Sequence, residues 1–271
     1  MSSVARTGLA QTARKGAAPK PPSLRGMFRA LISLAVLVLL WAGLSALLAD
    51  PLRAPGPQQV LPALFQGVVS GEILPDLSAT LRRVGLSFVL AMATGTAAGI
   101  VLGLMPRLDR WLDPWLTVFN TIPALVTIVL CYLWIGLNES AAIAAVALNK
   151  VPLVTLMLRE GVRVLDPDLA AMAQVYRMGP LARLRHIVLP QLAPHLVSAA
   201  RAGLALIWKI VLVVEFLGRS DGIGFRLHLD FQMFDITGVL ANALAFVAVM
   251  LALEALLIAP LAARAARWRT Q

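Results

Sequence analysis

The sequence predicts an all-α integral membrane protein with six transmembrane helices. Of its 271 residues, 59% are hydrophobic and only 14% charged, with a mean hydropathy of +0.81; soluble domains carry about 25% charged residues. The apolar residues gather into runs close to the ~20 residues that a helix needs to cross a hydrocarbon core about 30 Å thick. The net charge of +10 is confined largely to the short segments between those runs. That distribution follows the positive-inside bias of membrane proteins rather than the basic face of a nucleic-acid binder, so no nucleic-acid partner is expected.

Residues 1–26 form a basic tail rich in Ala, Gly and Pro, expected to be disordered and held near anionic lipid. Residues 27–265 are expected to form one transmembrane domain. Its first span, Ala30–Ala49, carries no charge. It exceeds the roughly 7–15 apolar residues of a signal-peptide core, so it is read as a retained helix. Pro51, Pro55, Pro57 and Pro62 make the next loop irregular. Leu77–Arg83 reads as an interfacial lead-in to the second span, Val84–Met105. The remaining spans are Trp115–Gly136, Ser140–Leu158, Leu192–Leu217 and Ile236–Ala262.

Gly95, Gly99 and Gly103 recur every fourth residue in the second span, so one face invites close helix packing. Pro123 and Pro152 interrupt the third and fourth spans and free backbone carbonyls there. With the N-terminus inside, the outer segments hold only Arg53, Arg82, Arg83, Arg219 and Arg226, while most of the 24 Lys and Arg residues fall in the inner ones. Both termini are therefore expected in the cytoplasm. Cys131 is the only cysteine and lies in an apolar run, so neither an intrachain disulfide nor a metal cluster is expected.

Ionisable side chains inside spans are costly and call for a reason. Five qualify: Lys150, Arg201, Lys209, Glu215 and Glu254. From the helical rise, Lys150, Arg201 and Glu254 lie about 12–13 Å above the inner boundary. Glu254 is expected to pair with Arg201 or Lys150 as a structural ion pair. Lys209 lies higher, about 25 Å up, and Glu215 sits on another face. Asn149, Lys150, Lys209 and Glu215 are candidates for lining a substrate pathway.

The inner segment 159–191 is too long for a plain connector. Within Asp168–Met178 the residues Leu169, Met172, Ala173 and Tyr176 recur at i, i+3, i+4 and i+7, which predicts a short amphipathic helix. Asp166 or Asp168 can cap its start, and Gly179-Pro180 stops it. From pattern alone this helix either lies on the inner leaflet or docks into a partner's groove.

These residues resemble the EAA loop of binding-protein-dependent ABC importer permeases. That pattern runs Glu-Ala-Ala, three residues, Gly, nine residues, then Ile-x-Leu-Pro. Here Ala171-Met172-Ala173 stand first, Arg177 takes the Gly position, and Ile187-Val188-Leu189-Pro190 follow at the right distance. Asn120-Thr121-Ile122-Pro123-Ala124-Leu125 resembles the family's Arg-x-Val/Ile-Pro-Ala-Leu element. Trp208 through Glu215 and Asp221-Gly222-Ile223-Gly224-Phe225 resemble elements of the nitrate, sulfonate and taurine permeases.

The resemblance implies a type I ABC importer permease bundle in a bacterial inner membrane. The chain would work as a dimer, with ABC ATPase subunits beneath it and a periplasmic or lipid-anchored binding protein delivering substrate. ATPase coupling would fall to Leu169, Ala171, Met172, Ala173, Tyr176, Arg177, Gly179 and Pro190. No G-x-x-x-x-G-K-[ST] occurs in the chain, so ATP is expected on the partner, and neither a cofactor nor a metal of its own. Two departures stand out. Ala171 removes a carboxylate from the docking helix, and Arg177 replaces a residue that needs no side-chain room. The alternatives are a secondary active transporter with its own ion coupling, which would show repeated halves, and a membrane anchor without a transport role.

Overall fold

The computed structural model describes residues 24–258 and 260, and among them it is helical throughout. The basic tail lies largely outside the described residues, as does the end of the sixth span. In chain order the helices are α1 (Leu24–Leu48), α2 (Pro57–Val69), α3 (Ile73–Leu104), α4 (Pro106–Thr121), α5 (Ala124–Ile135), α6 (Glu139–Arg163), α7 (Pro167–Val175), α8 (Pro180–Arg183), α9 (Leu189–Gly218), α10 (Ile223–Gln232) and α11 (Ile236–Leu253). A π-helical turn, Leu184–Val188, joins α8 to α9, and a second, Glu254–Ile258, extends α11. Five continuous stretches are long and apolar enough to cross a membrane, and a sixth is a bent pair.

That pair corrects the third span. Trp115–Gly136 is not one helix: α4 and α5 meet at 94° across Ile122-Pro123. A residue before proline is pushed out of the α region, and Ile122 is extended, with ψ 126°. At 12 residues, α5 spans only about 18 Å, too short to cross alone. A second correction concerns Leu77–Arg83. It is no separate segment but the continuous first third of α3, and Arg83 is 1% exposed.

The bundle centres on α3, α6 and α9. The first two run parallel: Ser87 donates to the Ile143 carbonyl near one end, and Gly103 meets Val162 near the other. The third returns antiparallel, with Gly161 of α6 against His195 and Gly203 of α9 near Val154. Lipid tails are as apolar as Leu, so close packing rather than water exclusion must hold such helices together. The α3–α6 seam meets that demand with small residues. A Cβ on Gly95 would stand 2.7 Å from the Val154 Cβ, and one on Gly99 would stand 2.7 Å from both the Leu158 Cβ and the Thr155 carbonyl oxygen. Nearer the Glu139 end of α6, Ala141, Ala142 and Ala145 are at most 1% exposed.

α5 closes one side of the core, where Cys131 is buried and the Tyr132 hydroxyl donates to the Val214 carbonyl at 2.8 Å. α11 lies antiparallel to α9, with Trp208 meeting Phe246 edge-on at 5.9 Å. α1 stands apart. None of its residues between Leu31 and Leu48 is buried, and Trp41 and Ser45 tie it to the Pro55 and Ala54 carbonyls at 3.1 and 2.6 Å.

The glycine seam sets opposite expectations for two alanine substitutions. Gly85 has open space where a Cβ would go, so Gly85→Ala should raise stability by up to about 1 kcal/mol through helix propensity. Gly99→Ala should lower it by about 1–3 kcal/mol through overpacking. Thermal unfolding of the purified protein in detergent reads both signs.

Candidate functional site

At the Glu139 end of the bundle, a polar stripe on α3 grips the turn between α9 and α10. Asp76, Thr80 and Arg83 are spaced i, i+4 and i+7, so they share one helix face. Arg83 Nη1 donates to Glu215 Oε1 at 2.8 Å and to the Asp221 carbonyl at 2.9 Å; Nη2 donates to Asp221 Oδ1 at 2.5 Å and Glu139 Oε2 at 2.8 Å. The other Glu215 oxygen accepts from the Thr80 hydroxyl and the Gly224 N–H, each at 2.9 Å. Thr80 in turn accepts from the Ile223 N–H, and Asp76 accepts from the Gly222 N–H and from Arg226. Three successive N–H groups of the turn are thus taken by α3 or by Glu215.

The glycines make that turn possible. Gly222 has φ 104°, in the left-handed region, and a Cβ there would lie 2.5 Å from the Glu215 carboxyl carbon. A Cβ on Gly224 would strike the Leu212 carbonyl oxygen. Glu215 is 0% exposed and Arg83 1%, and a buried ion pair of this kind survives only when its remaining hydrogen-bonding capacity is filled. Glu215 therefore does not line a pathway, as its position in the span suggested. Its carboxylate is consumed within the protein. Beyond the turn, Asn242 of α11 donates to Asp230 of α10 at 2.8 Å. Burial, reinforced by nearby Asp235, pushes the Asp230 carboxyl above its ordinary range.

A second cluster lies at the Arg159 end. Asp109 and Asp113 of α4 face Arg159 and Arg163 of α6. Arg159 reaches Asp109 at 2.9 Å and Asp113 at 2.5 Å, and Arg163 bonds Asp109 and Glu160. This cross-link fixes α4 to the end of α6 that leads into α7.

The helix predicted over Asp168–Met178 is α7, and it stops at Val175. Asp166 caps it, accepting from the Asp168 N–H at 2.9 Å, while the Asp166 N–H donates to Gln191 of α9 at 2.9 Å. Its C-terminus is a Schellman motif: the Met178 N–H reaches the Ala173 carbonyl at 2.9 Å and the Arg177 N–H the Gln174 carbonyl at 3.0 Å. Arg177 occupies the left-handed position, φ 48°, at a cost of about 1–2 kcal/mol for a residue with a Cβ. The family's glycine is thus explained by backbone angle. Side-chain room is not the issue, because Arg177 is exposed.

The expected docking face is split. Ala173 is 2% exposed and packs inward, and Leu169 is half-buried. Met172 and Tyr176 point outward at 42% and 75% exposure, joined by Val175 at 80%. Val175, three residues after Met172, shares its side of the helix by helical spacing. Ala171, Gly179 and Pro190 are exposed, Pro190 at the start of α9.

Arg201 and Glu254 meet at 3.2 Å, each about half exposed. They lie in a groove of 470 Å³ between α9 and α11, which Trp208, Lys209, Leu212, Phe246 and Met250 also line. Lys209 is exposed on that groove. Asn149 and Lys150 are half-buried on α6 and are not part of it. No group of three or more possible metal ligands occurs among the described residues.

Removing one member of the buried pair should be severe. Arg83→Met is expected to cost about 3–5 kcal/mol, since it leaves a buried carboxylate uncompensated, and Arg83→Met/Glu215→Leu to cost less. Thermal unfolding of both variants in detergent tests this.

Comparison with known proteins agrees with this geometry. Residues 95–263 match the family described as "binding-protein-dependent transport system inner membrane component". A Bacillus subtilis (strain 168) protein, provisionally named as an aliphatic sulfonates transport permease, is 27% identical over 254 residues, covering 92% of this chain and 91% of its own length. The taurine transport system permease protein of Escherichia coli (strain K12) is 28% identical, with 76% of this chain and 78% of its own covered. Among solved structures, a bacterial ABC transporter involved in import of the acidic polysaccharide alginate shares the fold at a TM-score of 0.61, with 16% identity over 91% of this chain and 97% of that one. The match spans more than half the chain and includes the glycine seam, the gripped turn and α7, so this protein belongs to the family of binding-protein-dependent transport system inner membrane components and is a permease subunit of an ABC importer.

Proposed function

We propose that two copies of this chain line the substrate pathway of the importer, and that a separate ATPase drives them through α7. The observation that carries this reading is the exposed apolar surface of Met172, Val175 and Tyr176 at a short helix anchored at its start to α9 through Asp166. One hydrogen bond, from the Asp166 N–H at the start of α7 to Gln191, ties it to α9, and Ala173 is buried. A push on α7 is then passed to α6, which precedes it in the chain, and to α9, to which Asp166 is bonded. The Arg159 end is cytoplasmic in this reading, in line with the Arg-rich segments there. ATP is bound and hydrolysed on the partner, and a binding protein delivers substrate at the Glu139 end, where the gripped turn keeps a fixed surface.

The groove between α9 and α11 lies along the pathway. A lysine in a span is expensive to expose to lipid, and Lys209 on the groove wall would instead meet water and an anionic solute. The related proteins named for sulfonates, taurine and nitrate all bear names of oxyanion-carrying substrates, which supports a small anion. Nothing in the comparisons favours a secondary transporter.

Two variants test the reading. Met172→Asp/Tyr176→Asp should abolish copurification of the ATPase and ATP-driven uptake while leaving the melting temperature near that of the parent. Transport by vesicles lacking the ATPase would overturn it. Lys209→Met should lower uptake of the anion at least several-fold, and unchanged uptake would remove Lys209 from the pathway.

A further inference from the structure

From the corner that ends α7 we infer the charge of the surface that receives it: the ATPase carries an Asp or Glu opposite Arg177, paired with its guanidinium. This rests on the proposed docking of α7.

Three observations converge. First, Arg177 sits at φ 48°, where glycine would fold without strain. An outlier of this kind points to a use for the side chain that offsets the strain. Second, its guanidinium is exposed and makes no ion pair or hydrogen bond among the described residues. It therefore does nothing for the fold that would account for arginine at that corner. It stands next to Tyr176 and two residues from Val175, the most exposed apolar side chains of the helix. A charge there borders the apolar contact on its rim. Third, charge is divided along this end of the protein. Asp166 and Asp168 stand at the start of α7, and Arg177, Arg183 and Arg185 follow its end. Ala171 leaves the outward face of α7 between them without a carboxylate.

The complementary surface is therefore an apolar pocket for Val175 and Tyr176 with an acidic rim at the α7 C-terminus. An Arg–carboxylate contact there would be charge-assisted and directional. It would also discriminate among ATPases, because a receiving surface with a basic rim would meet Arg177 with like charge.

The test uses the assembled importer with its copurifying ATPase. Arg177→Lys is prepared and treated with a carbodiimide, which activates a carboxyl group and joins it to a neighbouring amine as an amide with loss of water. Mass spectrometry is expected to find the new amine joined to an Asp or Glu of the ATPase. Retention of the ATPase on immobilised permease is measured beside it. Arg177→Gly and Arg177→Gln are both expected to weaken retention about tenfold at low salt, and high salt should remove most of that difference. The glycine variant relieves the backbone strain, so loss of binding there cannot be misfolding. Retention of Arg177→Gly equal to the parent, or no ATPase carboxylate among the cross-links, overturns the inference. A loss confined to binding of phosphatidylglycerol vesicles overturns it in favour of a lipid contact. Val175→Asp separates the two levels. If it abolishes retention while Arg177→Gly does not, α7 docks and the acidic rim is wrong; if it retains the ATPase, the docking itself is wrong.

Discussion

A guanidinium and a carboxylate sealed among apolar helices must neutralise each other and satisfy every remaining donor and acceptor. The Arg83–Glu215 pair meets this requirement, and much of the architecture at the Glu139 end follows from it. Arg83 has more donors than one carboxylate can accept, so it also draws in Glu139 at the start of α6 and Asp221 in the turn after α9. Glu215 has lone pairs left over, which bind Thr80 and the Gly224 amide. The network therefore brings α3, α6, α9 and the 221–224 turn to one point. Dispersion forces hold the small-residue seam between α3 and α6, and its interdigitation resists sliding. The directional bonds at Arg83 set the register.

The opposite end solves a different problem. There the helices must be both stiff and accessible. Two acids on α4 and two arginines on α6, each pair one turn apart, cross-link the bundle where α7 begins. α7 itself is short, and nine residues would not hold a helix in isolation. It persists because Asp166 caps one end, a Schellman turn closes the other, and Ala173 packs inward. Rigidity at both ends of the bundle, joined by long helices between, is what a transporter needs if a push at one end is to be felt at the other.

Much of this was legible in the residues. The apolar runs located the hydrophobic stretches because the hydrocarbon thickness sets their length, but they began the second span eleven residues late and ran the third through the bend at Pro123. The every-fourth-residue glycines announced a close seam, although not which helix lay across it. The i, i+3, i+4, i+7 pattern located α7. The same pattern misassigned Ala173, because helical spacing identifies a face without saying whether the protein or a partner covers it. Asp76, Thr80 and Arg83 formed a readable polar stripe. Its meaning is hidden in the sequence because Arg83 lies beside the apolar run, in a segment between spans where arginine is ordinary. Glu215 was misplaced for a related reason: a lone acid in a span looks exposed to a pathway until its distant partner is known.

Local chemistry by itself determined the class of protein, its helical content, the approximate spans and the place and start of α7. Each depends on residues near in sequence or on the thickness of the solvent. Only tertiary structure decided the 94° angle at Pro123, the inward turn of Ala173, and the gathering of Arg83 with Glu215 across 132 residues of sequence. Those outcomes depend on which helices touch. A bilayer exerts no pull that would align one apolar helix with another in a particular register, so that choice is left to packing and to the few charges the chain buries.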